Sequence, residues 1–162
     1  MPTVSILITT FNRPQLLENC LYSILNQTYK DYEVLIIDDN PLSVSEPISI
    51  MFESLFDIGD RYRYIQNSVN IGYQHSLNRG LNRARGQYIA ILDDDDVWVA
   101  KEKLKLQVDF LEKNHDHVLV GTGVIHIDNN GLELNRKIFP ESDDELRPIM
   151  LGVNNFAHST VM

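Results

Sequence analysis

The sequence has a single cysteine, Cys20, which excludes an intrachain disulfide and suits a reducing setting. Cys20 sits among leucines and isoleucines at helical spacing, so it reads as a core thiol rather than a nucleophile. Positive charge is scarce: 14 Lys and Arg stand against 23 Asp and Glu, for a formal charge of -9. That balance argues against a non-specific grip on nucleic acid or on an anionic membrane, since both need clustered basic residues. An anionic ligand would need a cation or directed amides. Long apolar runs are missing too, none approaching the ~18 residues that cross a bilayer. The N-terminus lacks the basic flank and apolar segment of an export signal. The expected setting is the cytoplasm, with docking at the inner face of a membrane left open. There are no internal repeats, low-complexity tracts or linkers. What is present is 162 residues, 43% apolar and 23% charged, enough for one globular domain with a real core.

The stretch from Gly86 to Trp98 organises the rest. Tyr88 to Leu92 is a short apolar run entered through a glycine, the pattern of a strand buried on both faces of a parallel sheet. Four carboxylates, Asp93 to Asp96, follow at once. If the extended geometry persists past Leu92, Asp93 and Asp95 point to one side and Asp94 and Asp96 to the other. Adjacent carboxylates repel, so this strand end gains from a hard divalent metal, for which carboxylate oxygens are suitable ligands. The plainer reading is a solvated acidic turn, the common fate of charge runs. Context decides between them.

Val4 to Ile8 is predicted as a strand that turns polar at Thr9-Thr10-Phe11-Asn12, where a ligand-facing loop begins. Pro14 opens a helix, and Leu16, Leu17, Cys20, Leu21, Ile24 and Leu25 form one apolar stripe along residues 14–27. Tyr32 to Ile37 is a second strand ending in Asp38-Asp39-Asn40-Pro41, a second acidic pair at a strand's carboxyl end. Ile48, Phe52, Leu55 and Phe56 predict a second helix, and Tyr62 to Gln66 a third strand. Leu77, Leu81 and Ala84 predict the inner face of a third helix, with Gly86 as its stop. Alternating strands and helices imply a parallel sheet with right-handed crossovers, in which ligands bind beyond the carboxyl ends of the strands. Thr9, Asp39 and Asp93 to Asp96 all fall at such ends.

Beyond a rim-packing Trp98, Leu104, Val108 and Leu111 mark a helix whose Lys and Glu residues face water. Val118 to Ile127 and Leu132 to Ile138 form an antiparallel pair around Asn129-Asn130-Gly131. Ser142 and Glu145 are spaced as a capping box before a short helix. Asp116 and Asp128 read as turn residues. Phe156 to Met162 resembles the start of another strand, within which the chain stops, so a longer protein is expected.

Four segments stand in a telling order: Val4 to Pro14, Leu25 to Asp39, Asn70 to Gly72 with Asn78 to Leu81, and Ala84 to Asp96. Together they resemble the N-terminal, nucleotide-sugar-binding part of a family 2 glycosyltransferase of the GT-A fold. Phe139-Pro140 and Asn155 to Met162 are similar to members that act in surface-polysaccharide assembly. The resemblance implies an α/β, Rossmann-like, mainly parallel sheet flanked by helices, with a small antiparallel addition after the Asp-x-Asp strand. Residues 1–162 would be the nucleotide-sugar-binding portion of such a domain, truncated at its C-terminus. The implied activity is inverting transfer from a nucleoside-diphosphate sugar, UDP being the usual carrier, to a saccharide or lipid-linked acceptor in polysaccharide biosynthesis, with Mn2+ or Mg2+.

By the same resemblance, Thr9 and Phe11 line the nucleotide pocket and Asp39 hydrogen-bonds the base. Asp93 lies near the ribose and metal, Asp95 ligates the metal, and Asp96 is a further participant. Asn70, Gly72 and Asn78 belong to the region closing over the nucleotide. The sequence departs from the pattern at several points. Thr9 replaces proline, Phe11 replaces tyrosine, and Asn40-Pro41 replaces Gly-Ser. Leu77 occupies a site where many relatives place arginine, so that positive contact is either missing or supplied by Arg13, Arg79 or the metal. The general base is expected beyond Met162, and His158 reads as a packed or hydrogen-bonded residue rather than its substitute. Three other readings of the chain are kept. Asp93-x-Asp95 also fits the nucleophile motif of haloacid-dehalogenase-like phosphatases, clustered aspartates fit a phosphoacceptor domain, and the isolated chain fits a non-catalytic nucleotide-sugar-binding module.

Overall fold

The computed structural model describes residues 1–41 and 61–162; the helix predicted on Ile48, Phe52, Leu55 and Phe56 lies outside the described residues. Strands β1 (Val4–Thr10), β2 (Tyr32–Asp38), β3 (Tyr62–Gln66) and β4 (Tyr88–Ile91) form a parallel sheet in the order β3-β2-β1-β4. β1 and β2 are central and buried at every position, which explains their unbroken apolar runs. Side chains alternate across the sheet. Val4, Ile6, Ile8, Val34 and Ile36 face α1 (Pro14–Leu25) and α3 (Lys103–Lys113), whereas Leu7, Leu35 and Ile37 pack with Leu77 of α2 (Tyr73–Leu81) and with Ala84. Cys20 is fully buried in the first cluster. Burial, then the four nearby aspartates, drives its thiol well above the ordinary range, so the core-thiol reading holds.

Several expectations need correcting. α2 ends at Leu81, which is exposed, and not at Gly86. Gly86 instead lies so close to β1 that a Cβ there would come within 2.4 Å of the Ser5 nitrogen. β4 is an edge of the described sheet rather than a strand buried on both faces; Ala90 and Leu92 are fully covered while Tyr88, Ile89 and Ile91 are partly so. Extended geometry does not persist past Leu92, because the Asp96 N–H bonds the Asp93 carbonyl at 3.1 Å and the acidic run turns. The end of the chain forms a 3-10 turn (His158–Thr160) rather than opening directly as a strand. Met162 then exchanges backbone hydrogen bonds with Val120 at 2.9 and 3.0 Å. β5 is correspondingly short (Val124–Ile127), and it pairs antiparallel with β6 (Glu133–Lys137) across the turn at Gly131. The predicted capping box of Ser142 and Glu145 opens α4 (Asp143–Leu146).

Polar staples inside the core are invisible to periodicity. Gln27 joins the end of α1 to the start of α3, donating to the Ala100 carbonyl at 2.9 Å and accepting from Leu104 N–H at 3.1 Å. Glu33, buried at the amino ends of the strands, accepts from Ser5, Arg63 and Arg85. Lys103 also breaks the expectation that the lysines of its helix face water. It is buried, with Nζ 4.2 Å from the Trp98 ring centroid and 2.6 Å from Gln107 Oε1.

Burial drives the Lys103 ammonium from its ordinary 10.5 down to about 7. Between those values the unfolded chain binds a proton that the folded chain does not, so stability rises with pH across the window and is lost as pH falls towards 7. Replacing the lysine by methionine, Lys103→Met, should raise the thermal midpoint at pH 6.5 and flatten the gain between pH 7 and 10. Unfolding scans across that range check this, and a midpoint at pH 6.5 no higher than that of the native chain would contradict it.

Candidate nucleotide and cation site

The carboxyl ends of β1, β2 and β4 meet at one rim because the sheet order reverses between β1 and β4, the place where open α/β sheets leave a crevice. β1 gives way to Phe11 and Asn12, and Asn12 takes a left-handed φ of 55°, a conformation that asparagine tolerates better than most residues. The chain then enters α1 with Arg13 at the N-cap and Pro14 at the first helical position, and the Arg13 side chain does not cap the helix. It is free to point elsewhere. The Asp39 N–H bonds the Thr10 carbonyl at 2.9 Å, which ties the end of β2 to the end of β1.

Asp39 is buried and acts as a clasp. Its Oδ1 accepts from Asn67 Nδ2 at 2.7 Å and from Ile71 N–H at 2.9 Å, and its Oδ2 from Gly72 N–H at 2.8 Å. Gly72 holds φ at 84° with open space around a would-be Cβ, so backbone conformation rather than room favours glycine there. Burial pushes the Asp39 carboxyl up, but the Ile71 and Gly72 N–H groups and the Asn67 amide more than offset this, leaving it below the ordinary carboxylate range. A charged carboxylate therefore lies at the base of the cleft. Among the described residues Oδ2 accepts one hydrogen bond, which leaves it one lone pair for a ligand.

The turn after β4 fans its four aspartates in different directions. Tyr73 hydroxyl donates to Asp93 Oδ1 at 3.2 Å, and His158 Nδ1 lies 2.7 Å from that hydroxyl and 3.4 Å from Asp93 Oδ1. Burial and the Asp93 charge raise the Tyr73 phenol, so it keeps the proton that it donates. Asp94 is buried, accepts from Thr10 Oγ1 at 2.7 Å, and has its Oδ1 2.5 Å from Arg13 Nη2. That last contact is a Coulombic approach without an aligned N–H, and Oδ1 accepts no hydrogen bond within the described structure. Burial raises the Asp94 carboxyl, with Thr10 and Arg13 opposing. Asp95, about half exposed, accepts from Arg13 Nη1 at 2.7 Å. Asp96 accepts from Ser159 Oγ at 2.5 Å, while Ser159 Oγ accepts the Asp93 N–H at 3.0 Å and its carbonyl receives the Trp98 indole N–H at 2.8 Å.

Beside this turn lies a hollow of about 200 Å³. It is walled by Thr9 and Thr10 at the end of β1, by Phe11 and Arg13 after it, by Asp39 after β2, and by Asn70, Gly72 and Tyr73 at the entry to α2. The structure thus brings Thr9, Phe11, Arg13 and Asp39 together. Asp93 and Asp95 are joined to that wall through Tyr73 and Arg13. Asn78 does not reach it: it is exposed along α2, and the nearer amide is Asn67. Arg79 is engaged with the Gln66 carbonyl and the Asn67 side chain. Tyr73, Thr10 and Ser159 carried no periodic or motif signal beyond their nearness to Gly72, Thr9 and His158.

The turn offers donors of the kind a divalent cation takes. Asp93 and Asp95 are partly exposed hard-oxygen donors. Among the described residues no group of three His, Cys, Asp or Glu side chains is placed to hold an ion unaided. That matches ions held by one or two carboxylates together with substrate phosphates.

The family model described as Glycosyl transferase family 2 matches residues 5–159. EpsE of Bacillus subtilis is 34% identical over 161 residues, covering 99% of this chain and 56% of that protein. The UDP-Glc:α-D-GlcNAc-diphosphoundecaprenol β-1,3-glucosyltransferase WfgD of Escherichia coli is 31% identical over 129 residues, 80% of this chain and 48% of WfgD. The chain therefore spans about half the length of these curated relatives. Among solved structures, the mannosyltransferase PcManGT from Pyrobaculum calidifontis in complex with GDP-Man and Mn2+ superposes with a TM-score of 0.60 at 25% identity, over 79% of this chain and 36% of that one.

Removing the clasp tests how the rim is built. In Asp39→Ala the Ile71 and Gly72 amides and the Asn67 amide lose their acceptor, an expected cost of about 1–3 kcal/mol. Hydrogen exchange at Ile71 and Gly72 should accelerate while the Asp96 amide keeps its protection; unchanged exchange at the two amides would contradict the assignment.

Proposed function

This chain belongs to glycosyl transferase family 2, and from that premise we propose that it is the donor-binding part of a metal-dependent, inverting glycosyltransferase. The donor is a UDP-sugar and the acceptor a saccharide or lipid-linked saccharide in polysaccharide assembly. The relative WfgD, whose name pairs UDP-Glc with a diphosphoundecaprenol-linked acceptor, supports that choice of donor and acceptor. PcManGT, bound to a nucleotide sugar and Mn2+, supports the use of a divalent ion. Assignment to this family leaves no place for Asp93 as the nucleophile of a phosphatase or phosphoacceptor.

The observation that carries the reading is one hollow whose wall holds a charged, clasped carboxylate, Asp39, and is joined through Tyr73 and Arg13 to the carboxylate turn. Phe11, half exposed on the hollow wall, offers a face for the base to stack on. The remaining lone pair of Asp39 Oδ2 accepts the ring N–H of uracil. Guanine also bears such an N–H, whereas the unprotonated ring nitrogen of cytosine offers nothing there. Asp93 and Asp95 would hold the divalent ion, whose chemistry is to neutralise charge building on the departing diphosphate. Arg13 brings positive charge to the hollow wall, Tyr73 keeps Asp93 oriented, and Asp39 through Gly72 holds the start of α2 against the ligand. Inversion needs a base on the face opposite the diphosphate. His158, bonded to Tyr73 and facing Asp93, is on the diphosphate side and is not that base.

Calorimetric titration with UDP, with and without Mn2+, tests the proposal on the native chain and on Asp95→Ala. Binding is expected with Mn2+ and should weaken at least about tenfold without it or in Asp95→Ala, the loss of one charge-assisted contact. With Mn2+ present, CDP should bind about tenfold more weakly than UDP, for the same physical reason at Asp39. Equal UDP binding without metal, or equal binding of UDP and CDP, would contradict the corresponding assignment.

A further inference from the structure

Among the described residues, Arg13 is the only basic side chain on the wall of the hollow, yet its charge is already engaged. One arm reaches the buried Asp94 and the other the half-exposed Asp95. The Asp95 arm is the aligned hydrogen bond and the Asp94 arm a Coulombic contact without one, so the two arms differ in their surroundings. Asp94 is also fixed by Thr10 and has no access to solvent in which to find another partner. Asp95 is open to water, and ion pairs in that setting are weak and readily exchanged. A diphosphate entering the hollow brings negative charge next to four carboxylates and needs the guanidinium for itself.

We propose that Arg13 is an exchangeable counter-ion: with no ligand its Nη1 arm stands on Asp95 in place of a divalent cation, and when a cation takes Asp95 that arm is released to the diphosphate. The proposal rests on the reading of Asp95 as a metal ligand. It adds that one residue opposes the cation alone and favours the cation with nucleotide. Cation and nucleotide then bind with positive, reciprocal coupling through Arg13. The Asp94 arm keeps the side chain at the rim throughout, so the exchange moves a guanidinium edge and no backbone.

The test measures Mn2+ binding alone by electron paramagnetic resonance, and UDP binding at zero and saturating Mn2+ by calorimetry. It uses the native chain, Arg13→Gln, Arg13→Lys and Asp95→Asn. Arg13→Gln is expected to bind Mn2+ alone about threefold more tightly than the native chain, since a weak competing pair is gone. It should bind UDP at saturating Mn2+ about tenfold more weakly, so that the coupling between the two ligands falls well within the range typical of linked sites. A lysine's ammonium is a single point charge without the two-armed guanidinium fork that reaches both carboxylates here. Arg13→Lys should therefore stay on Asp94, give up Asp95, and gain Mn2+ affinity with an intermediate loss of coupling; it serves as the test if Arg13→Gln does not fold.

Mn2+ affinity in the Arg13 variants no higher than native, or undiminished coupling, would overturn the proposal. If Asp95→Asn also leaves Mn2+ affinity unchanged, the metal reading itself fails. If Asp95→Asn lowers Mn2+ affinity while the Arg13 variants gain none, only the counter-ion role fails.

Discussion

Four successive carboxylates at the end of a strand repel one another, and the way the fold answers that repulsion determines the rim. The aspartates of the turn are met from three directions: Asp93 by Tyr73 at the start of α2, Asp94 and Asp95 by Thr10 and Arg13 at and just after the end of β1, and Asp96 by Ser159 in the 3-10 turn. Those contacts gather segments that lie far apart in sequence around one point. The parallel pairing of β1 with β2 and β4 makes the gathering possible, because all three strands deliver their carboxyl ends to the same side.

The two ends of the sheet treat acid differently. At the amino ends, Glu33 is enclosed by Ser5 and two arginines, with a backbone N–H completing its set. Burial pushes its carboxyl up and those donors more than offset it, holding it low. Such a carboxylate is structural: removing its partners would leave an uncompensated buried charge. At the carboxyl ends the compensation is incomplete. Asp94 Oδ1 accepts no aligned hydrogen bond within the described structure, and Asp95 shares its guanidinium with Asp94. Unfinished compensation beside a hollow is what an ion and a diphosphate would complete.

Much of this was legible in the residues. The apolar runs of β1 and β2 and the stripe of α1 are strong periodic signals, and the positions of Thr9, Asp39 and Asp93 at strand ends follow from them. The acidic turn was not legible as a turn. Alternation extrapolated past Leu92 puts Asp93 and Asp95 on one side, whereas the bond from Asp96 N–H to the Asp93 carbonyl closes a turn in which Asp93 meets Tyr73 while Asp94 and Asp95 share Arg13. From the sequence Gly86 reads as a helix stop, because glycine suits both helix ends and close backbone approaches, and only the nearness of Ser5 separates the two roles. Tyr73 and Ser159 give no signal, since their contacts are made between elements and not along one, and the burial of Lys103 depends on Trp98, which lies outside its helix. Asn78 lies on the exposed side of α2 and is not among the residues that wall the hollow.

The central claim is that these strand ends form one rim around a cation-bridged nucleotide diphosphate. Amide resonance spectra of the chain recorded with UDP and substoichiometric Mn2+ test it most directly, since the paramagnetic ion broadens signals in its own neighbourhood. The account expects the amides of Asp93 to Asp96, Phe11 and Gly72 to vanish while those of Glu33 and Arg85, at the opposite ends of the strands, persist. Broadening centred away from the acidic turn, or equal at both ends of the sheet, would contradict it.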